Sequence, residues 1–222
     1  AEGADAMAEA GMVTIQLRAK LLPDDLLFAE TERCLRQLEG WTGTLWIDDR
    51  VDLAMLLPLA GVHLGATDLP AATARRLLSP TVRIGVSTHD EAQLALADRD
   101  AAADWVALGP IFATRSKRDP DPVVGLERLR DLRRRTSKPL IAIGGIELAN
   151  LAAVLEAGAD SVALIRAVCS GDIGRNCREL LAAAASGSSC PDSWEPARPP
   201  WAAASPPGSA GRSSTSTTRS KG

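Results

Sequence analysis

Residues 151–165, LAAVLEAGADSVALI, pass from an amphipathic helical pattern through Ala-Gly into a short apolar run. The same junction occurs three times upstream, in EAGMVTI (9–15), LAGVHL (59–64) and AAADWVAL (101–108). A helix that leads straight into a buried strand, repeated along a chain, is typical of βα units in a parallel α/β fold. Right-handed crossovers then curl such a sheet in one direction.

Seven apolar runs predict the strands of this sheet: VTIQL (13–17), TLWI (44–47), GVHLG (61–65), RIGVS (83–87), WVALGPI (105–111), LIAIGG (140–145) and SVALI (161–165). Several lack a polar alternate face, as strands of a parallel sheet covered on both sides do. The count predicts an α/β fold, a TIM (β/α)₈ barrel over residues 1–185 that lacks its first strand at the N-terminus. An open doubly wound sheet is the alternative, although no GxGxxG motif follows any run.

The composition limits location and partners. Residues 186–222 are dominated by Ser, Pro, Gly and Ala, so we expect a disordered C-terminal tail there. A formal net charge of -3 argues against nucleic acid or an anionic membrane as the main partner. No apolar stretch is long enough to cross a membrane, and the four widely spaced cysteines show no CxxC pattern. These features indicate a cytoplasmic protein that acts on small molecules.

Polar side chains collect where the runs end, which is the face where barrel active sites are built. Gln16, Arg18 and Lys20 alternate at the end of the first run, so they share one side of the strand. Cations that face a barrel interior are costly without an anionic partner. The pattern predicts an anion site, unless Arg18 and Lys20 are solvated residues at the rim.

Carboxylates follow the second and third runs. Asp48 and Asp49 end one strand, and Asp68 follows the next. Asp49 and Asp68 could hold Mg²⁺, which prefers few carboxylates together with phosphate oxygens and water. Asp68 could instead cap the helix that begins near Pro70. His63, inside the third run, is interpreted as a core or rim histidine whose hydrogen bonds are satisfied.

The residues after the fourth run are divided between site and helix. Ser87 is predicted to face the barrel mouth, whereas Thr88 forms a capping box with Glu91. His89, close to the start of the helix, is expected to be exposed.

Anion-binding groups also follow the last three runs. The loop after the fifth run offers hydroxyls and cations, namely those of Thr114, Arg115, Ser116 and Lys117. Gly145 and the segment 165–166 follow the last two runs. At these positions of a barrel, backbone N–H groups and a short helix N-terminus approach a phosphate.

In order along the chain, QLRAK (16–20), DDRVDLA (48–54), GVHLGATDLP (61–70), IGVSTH (84–89), ALGPIFATRSK (107–117), IAIGGI (141–146) and GADSVALI (158–165) resemble the motifs of the thiamine-phosphate synthase family. The resemblance extends from about residue 5 to 180. It implies a transferase that joins a pyrimidine methyl pyrophosphate to a thiazole phosphate and releases pyrophosphate. The implied reaction is a dissociative displacement assisted by Mg²⁺. Fusion to another thiamine-pathway domain is a further possibility.

The resemblance also implies a role for each candidate residue. Gln16 would orient the pyrimidine, Ser87 would lie near the reacting carbon, and Asp49 and Asp68 would bind Mg²⁺. The pyrophosphate would be held by Arg18, Lys20 and Lys117. The thiazole phosphate would be bound by Thr114, Ser116, Gly145 and the region of Ile165.

Three positions depart from the family pattern. Asp48 stands where the family usually has Asn, so a neutral donor becomes an acceptor that could join the metal or weaken anion binding. Ala66 replaces a common Gln. Arg166 stands where a Ser commonly completes the phosphate site, and it could grip a phosphate bidentately or narrow the pocket.

Two other functions remain open. A thiazole tautomerase has the same barrel, but typically carries His where Pro110 stands and lacks the paired metal carboxylates that Asp49 and Asp68 provide. A non-catalytic phosphate-ligand-binding barrel is the second alternative, supported by the missing first strand and the three departures.

Overall fold

The computed structural model describes residues 3–114 and 121–187. Seven parallel strands form one sheet in which the spatial order follows the chain order. The strands are β1 (Thr14–Leu17), β2 (Thr44–Asp48), β3 (Gly61–Leu64), β4 (Arg83–Thr88), β5 (Trp105–Leu108), β6 (Leu140–Ile143) and β7 (Ser161–Ala163). The predicted α/β fold with seven parallel strands is confirmed.

Helices alternate with the strands and cover the outer face of the sheet. They are α1 (Ala4–Glu9), α2 (Asp24–Gln37), α3 (Val51–Leu56), α4 (Ala71–Leu77), α5 (Glu91–Arg99), α6 (Gly125–Arg133), α7 (Leu151–Glu156), α8 (Arg166–Cys169) and α9 (Ile173–Gly187). Helix α9 thus runs to Gly187, two residues past the predicted boundary, and the rest of the tail lies outside the described residues. No helix in the described part of the chain is long and apolar enough to cross a membrane.

Alternation along each strand divides the core into two layers. Val62, Ile84 and Val106 point outward and pack with helix residues in two large apolar clusters. Trp46 and Trp105 point inward and form a separate cluster. Their ring centroids lie 5.5 Å apart at an interplanar angle of 68°, the edge-to-face arrangement that aromatic rings prefer.

Two inward positions must be glycine because the indoles fill the space beside them. A Cβ at Gly61 would lie 2.3 Å from the Trp46 ring, and a Cβ at Gly85 would lie 2.2 Å from the Trp105 ring. Gly85 is the register partner of Trp105 on the neighbouring strand, so the small and large residues alternate across the interior. The two indoles therefore close the interior below the strand ends.

The start of α5 differs from the prediction. Thr88 is the last residue of β4, and its hydroxyl donates to the Ala107 carbonyl at 2.8 Å. Asp90 caps the helix by accepting from the Gln93 N–H at 2.8 Å. The predicted capping box is wrong because the strand continues through Thr88, which moves the helix start by two residues.

Replacing Gly85 by Ala will lower the free energy of unfolding by about 1–3 kcal/mol, because the added methyl group overpacks the Trp105 ring. The matched control is Gly174→Ala in α9, where the nearest atom to the new Cβ is the flexible end of Arg178 at 3.3 Å. This control is expected to match wild type or to gain up to about 1 kcal/mol. Urea unfolding measures both, and equal stabilities of the two variants would contradict the packing described.

Candidate active site

The carboxyl ends of β1 to β4 bring the predicted polar residues to one edge of the sheet. Gln16, Asp48, His63 and Ser87 occupy inward positions on successive strands, and Asp48 pairs with His63 in the sheet register. This layer lies above the two indoles, and the His63 ring stacks on the Trp105 ring at a centroid distance of 4.8 Å. Interior packing thus fixes the depth of the site.

Asp48 is a buried carboxylate that binds two of the predicted substrate residues. Its side chain is only 7% exposed. It accepts a hydrogen bond from the Gln16 amide, and the Arg18 Nε lies 3.1 Å from its Oδ2. Burial raises the pKa of Asp48 to about 6, helped by the charge of Asp49 and opposed by Gln16 and Arg18. The departure from the family pattern therefore introduces an internal anion at the predicted pyrophosphate site.

Asp49 is held in a tight turn immediately after β2. Its backbone has φ 65°, a left-handed conformation that Asp tolerates better than most residues. Its N–H donates to the His63 carbonyl at 2.8 Å. Its carboxylate forms an ion pair with Lys20, and the distance from Oδ2 to the Lys20 Nζ is 2.8 Å. The turn thus directs the Asp49 side chain toward Lys20, in the loop after β1.

Asp68 binds the backbone of its own loop. Its Oδ2 accepts from the Gly65 N–H at 2.7 Å, whereas Pro70 is the N-cap of α4 and the helix has no side-chain cap. The alternative in which Asp68 caps that helix is therefore wrong. Burial raises the pKa of Asp68, and a hydrogen bond that the protonated Asp68 can donate to the Asp49 carboxylate adds to the rise.

The contact between Asp49 and Asp68 fits a divalent cation. Two carboxyl groups this close repel each other when both are charged, and a cation between them would remove that repulsion. Among residues 3–114 and 121–187, no three His, Cys, Asp or Glu side chains form a metal-holding group. A site of two carboxylates suits Mg²⁺, which completes its shell with water and phosphate oxygens.

His63 orients the Ser87 hydroxyl. The imidazole Nε2 lies 2.8 Å from the Ser87 Oγ. Burial lowers the pKa of His63 to about 4, so the ring is neutral near pH 7. Its Nδ1 has no hydrogen-bond partner in the described part of the chain. The prediction of a buried histidine is confirmed, but the expectation that its hydrogen bonds are satisfied is wrong for Nδ1. Its contact with Ser87 adds a role that the sequence did not indicate.

His89 is a residue whose position the sequence reasoning missed. It was expected to be exposed, yet its side chain is only 16% exposed. The Nδ1 atom hydrogen-bonds the Gly109 carbonyl at 2.5 Å, and the Nε2 atom lies 3.4 Å from the Asp121 carboxylate. His89 therefore joins the two ends of the segment that carries Thr114. The sequence did offer one signal for this position. His89 directly follows β4, and β4 pairs with β5, so the His89 side chain can reach Gly109 just after β5.

Gly144 and Gly145 are required by the packing of their own loop. Both have positive φ, 86° and 68°, and a Cβ at Gly145 would lie 2.7 Å from the Ala113 carbonyl oxygen. The Phe112 N–H donates to the Gly144 carbonyl at 3.1 Å. This contact brings the segment that ends at Thr114 beside Gly145. Ser116 and Lys117 lie outside the described residues, so their predicted roles stay predictions.

Arg166 begins α8 and reaches across to the neighbouring loop. Ile165 is the N-cap of that helix, with no side-chain cap. The Arg166 guanidinium forms an ion pair with the Glu147 carboxylate. Glu147 follows Gly145 by two residues, so the pair connects the loops after β6 and β7.

Parallel strands that carry cations and carboxylates at their carboxyl ends define the chain as an α/β enzyme of the barrel type. The family model for thiamine monophosphate synthase matches residues 1–168. The chain belongs to the thiamine monophosphate synthase family.

Individual relatives agree with this assignment. The thiamine-phosphate synthase of Methanoculleus marisnigri is 47% identical over 185 residues, which cover 80% of this chain and 85% of that protein. The thiamine-phosphate synthase of Moorella thermoacetica is 43% identical over 174 residues, covering 77% and 81%. The solved structure of thiamine phosphate pyrophosphorylase from Pyrococcus furiosus superposes with a TM-score of 0.76 at 29% identity, covering 84% of this chain and 89% of that one.

The stability of wild-type protein relative to a His63→Gln variant will depend on pH. Because the folded His63 has a pKa of about 4 against an ordinary 6.5, the unfolded chain binds the proton first. Above pH 6.5 the ring is neutral in both the folded and the unfolded chain, so the free energy of unfolding does not depend on its protonation. As the pH falls from 6.5 toward 4, the unfolded chain takes up the proton and the free energy of unfolding decreases. We expect wild type to lose about 3 kcal/mol relative to the variant over that interval.

Urea unfolding at a series of pH values measures this difference. Carboxylates that do not interact with His63 titrate alike in both proteins and cancel, and an Asp68→Asn change in both proteins removes the one that does interact with it. A difference in stability that does not change with pH would contradict a buried, neutral imidazole.

Proposed function

We propose that this chain forms thiamine phosphate from a pyrimidine methyl pyrophosphate and a thiazole phosphate, with release of pyrophosphate. The observation that carries the proposal is the cluster at the ends of β1 to β3. There, Arg18 and Lys20 face the carboxylates of Asp48 and Asp49, and Asp68 contacts Asp49. Family membership supplies the reaction, and this cluster supplies the groups that the reaction needs.

The reaction requires stabilisation of a departing anion. The bond between the pyrimidine methylene carbon and the pyrophosphate oxygen breaks, and its electron pair leaves on the pyrophosphate. The thiazole nitrogen then donates its lone pair to the methylene carbon. Arg18 and Lys20 bind the charge that accumulates on the leaving oxygens, and Lys117 is proposed to join them.

Asp49 and Asp68 are the residues that would hold Mg²⁺. The metal, when bound, supplies positive charge to the pyrophosphate oxygens. Lys20 already pairs with Asp49 at 2.8 Å, so it is placed to bind the same anion from the side of β1. The chain thereby concentrates positive charge where the leaving group departs.

Ser87 and Gln16 are proposed to position the pyrimidine. The neutral His63 ring fixes the Ser87 hydroxyl without adding a charge near the reacting carbon. A second cation there would disfavour the pyrimidine methyl cation of a dissociative reaction. Holding both reactants in place is worth several orders of magnitude in rate, and no strong base is needed.

The second substrate is proposed to bind at the ends of β5 to β7. Thr114, Ser116, Gly145 and Ile165 would bind the thiazole phosphate. The close packing of Gly145 against the segment 112–113 supports this placement, because it brings the Thr114 loop next to Gly145. The two substrates then face each other across the sheet.

We also propose that one more parallel strand closes the barrel between β1 and β7. These two strands form the edges of the sheet. The inward residues of β7, Ser161 and Ala163, are exposed, as is Thr14 on β1. An added strand would satisfy both edges, which are otherwise open to unwanted pairing.

The tautomerase alternative has less support in the structure. Pro110 stands where a tautomerase would carry its loop histidine, and the interaction of Asp49 with Asp68 supports the proposal that the two would hold a metal. The second alternative is a binding protein without activity. The assay below distinguishes it from an enzyme, because only an enzyme forms thiamine phosphate from the two substrates.

Replacing Asp49 or Asp68 by Asn will lower kcat/KM for thiamine phosphate formation on the order of 100-fold or more, because the leaving group loses electrostatic stabilisation. The matched control is Asp52→Asn, which removes an equal negative charge. Asp52 lies on α3 and pairs with Arg50, the N-cap of that helix. Its activity should match wild type. Product is measured by chromatography with both substrates, with Mg²⁺ and after chelation.

Full activity after chelation, or in both site variants, would contradict the metal assignment. Absence of product from wild type with Mg²⁺ would contradict the synthase proposal itself.

Replacing Asp48 by Asn will lower KM for the pyrimidine pyrophosphate by about three- to tenfold, because it removes a buried negative charge that competes for Arg18. Asn has the same shape and can still accept from Gln16. The control, Asp24→Asn, removes a largely exposed charge that pairs with Arg50. Steady-state kinetics measure the change, and a higher KM would mean that Asp48 itself assists substrate or metal.

A further inference from the structure

Glu147 and Arg166 join the two loops that flank the proposed thiazole phosphate site. Glu147 lies two residues after Gly145, and Arg166 directly follows Ile165. The strands that precede them are neighbours, with Ile143 opposite Ala163 in the sheet register. The ion pair between the two side chains therefore spans the gap in which the phosphate is expected.

The pair is placed where solvent and ligand can reach it. The side chains of Arg166 and Glu147 are 60% and 47% exposed. Both line a cavity of about 420 Å³ that lies between helix α8, helix α9 and the loop before α7. Asn176 and Glu179 of α9 also line this cavity. Ion pairs at this level of exposure stabilise their closed form by no more than about fivefold. An incoming anion can therefore break this one readily.

We propose that Glu147 is the internal counter-anion of Arg166 and sets the affinity of the phosphate site. In the free protein the Glu147 carboxylate pairs with the Arg166 guanidinium. When the substrate binds, its phosphate takes the place of that carboxylate. This inference rests on the proposed function, because that function places a phosphate between these loops.

The exchange follows from the charges involved. A phosphate dianion carries more charge than one carboxylate and offers oxygens that match the guanidinium fork bidentately. It can therefore displace Glu147, whereas a neutral hydroxyl cannot. Glu147 thus lowers the affinity of the site for a phosphate group, because the phosphate must first displace it from Arg166.

The test is calorimetric titration of inorganic phosphate into the whole chain near pH 8. Glu147→Gln should tighten phosphate binding by about three- to fivefold, because Arg166 is no longer shared. Arg166→Gln should weaken binding by about tenfold or more. In Arg166→Gln protein, the added Glu147→Gln change should have almost no effect. Repeating the series in Arg18→Gln protein removes the contribution of the other anion site.

The matched control is Glu179→Gln. Glu179 lines the same cavity and carries the same charge, but it pairs with Arg175. It should leave phosphate affinity within about twofold of wild type. An equal gain from Glu179→Gln and Glu147→Gln would overturn the proposal in favour of a general field effect. Weaker or unchanged binding in Glu147→Gln, or unchanged binding in Arg166→Gln, would overturn it directly.

Failure of this inference is distinguishable from failure of the proposed function. Both side chains are exposed, so the variants should fold, and circular dichroism melting curves check this. Phosphate affinity is measured without turnover, so a chain that forms no thiamine phosphate can still pass the binding test. An active enzyme whose phosphate affinity ignores Glu147 would reject the inference alone.

Discussion

The interior packing of two indole rings is the constraint on which the site depends. Trp46 and Trp105 meet edge to face and fill the space that Gly61 and Gly85 leave open. They provide the apolar floor on which the His63 ring stacks. A larger residue at either glycine would displace an indole and with it the polar layer above. The precision of the site therefore comes from apolar packing beneath it.

Burial of that polar layer has opposite effects on its acid and its base. Desolvation raises the pKa of Asp48 and lowers the pKa of His63, so it favours the neutral form of each group. Arg18 and Gln16 oppose this effect at Asp48 and keep it ionised near neutral pH. His63 has no such partner and stays neutral. The site consequently holds the charged Asp48 carboxylate beside Arg18, in the loop after β1. It holds the neutral His63 ring beside Ser87.

The positions of the strand ends made part of the candidate site predictable. Gln16, Arg18 and Asp49 follow from the rule that polar residues at the ends of parallel strands meet at one edge. The contacts of His89 and Glu147 could not be predicted in this way, because their partners belong to loops distant in sequence. The conformation of those loops depends on packing, such as the approach of residues 112–113 to Gly145. Periodicity carries no information about such contacts.

The cations of the site share one property that shapes ligand binding. Three of them, all in the part of the chain that the structure describes, pair with carboxylates: Arg18 with Asp48, Lys20 with Asp49, and Arg166 with Glu147. An incoming phosphate group therefore exchanges one anion for another, and its affinity reflects only the difference between the two pairings. Under the proposed function, such an exchange would limit how tightly the released pyrophosphate is held, because the internal carboxylates would pair with the cations again. An enzyme that must let go of a highly charged product benefits from this weakness.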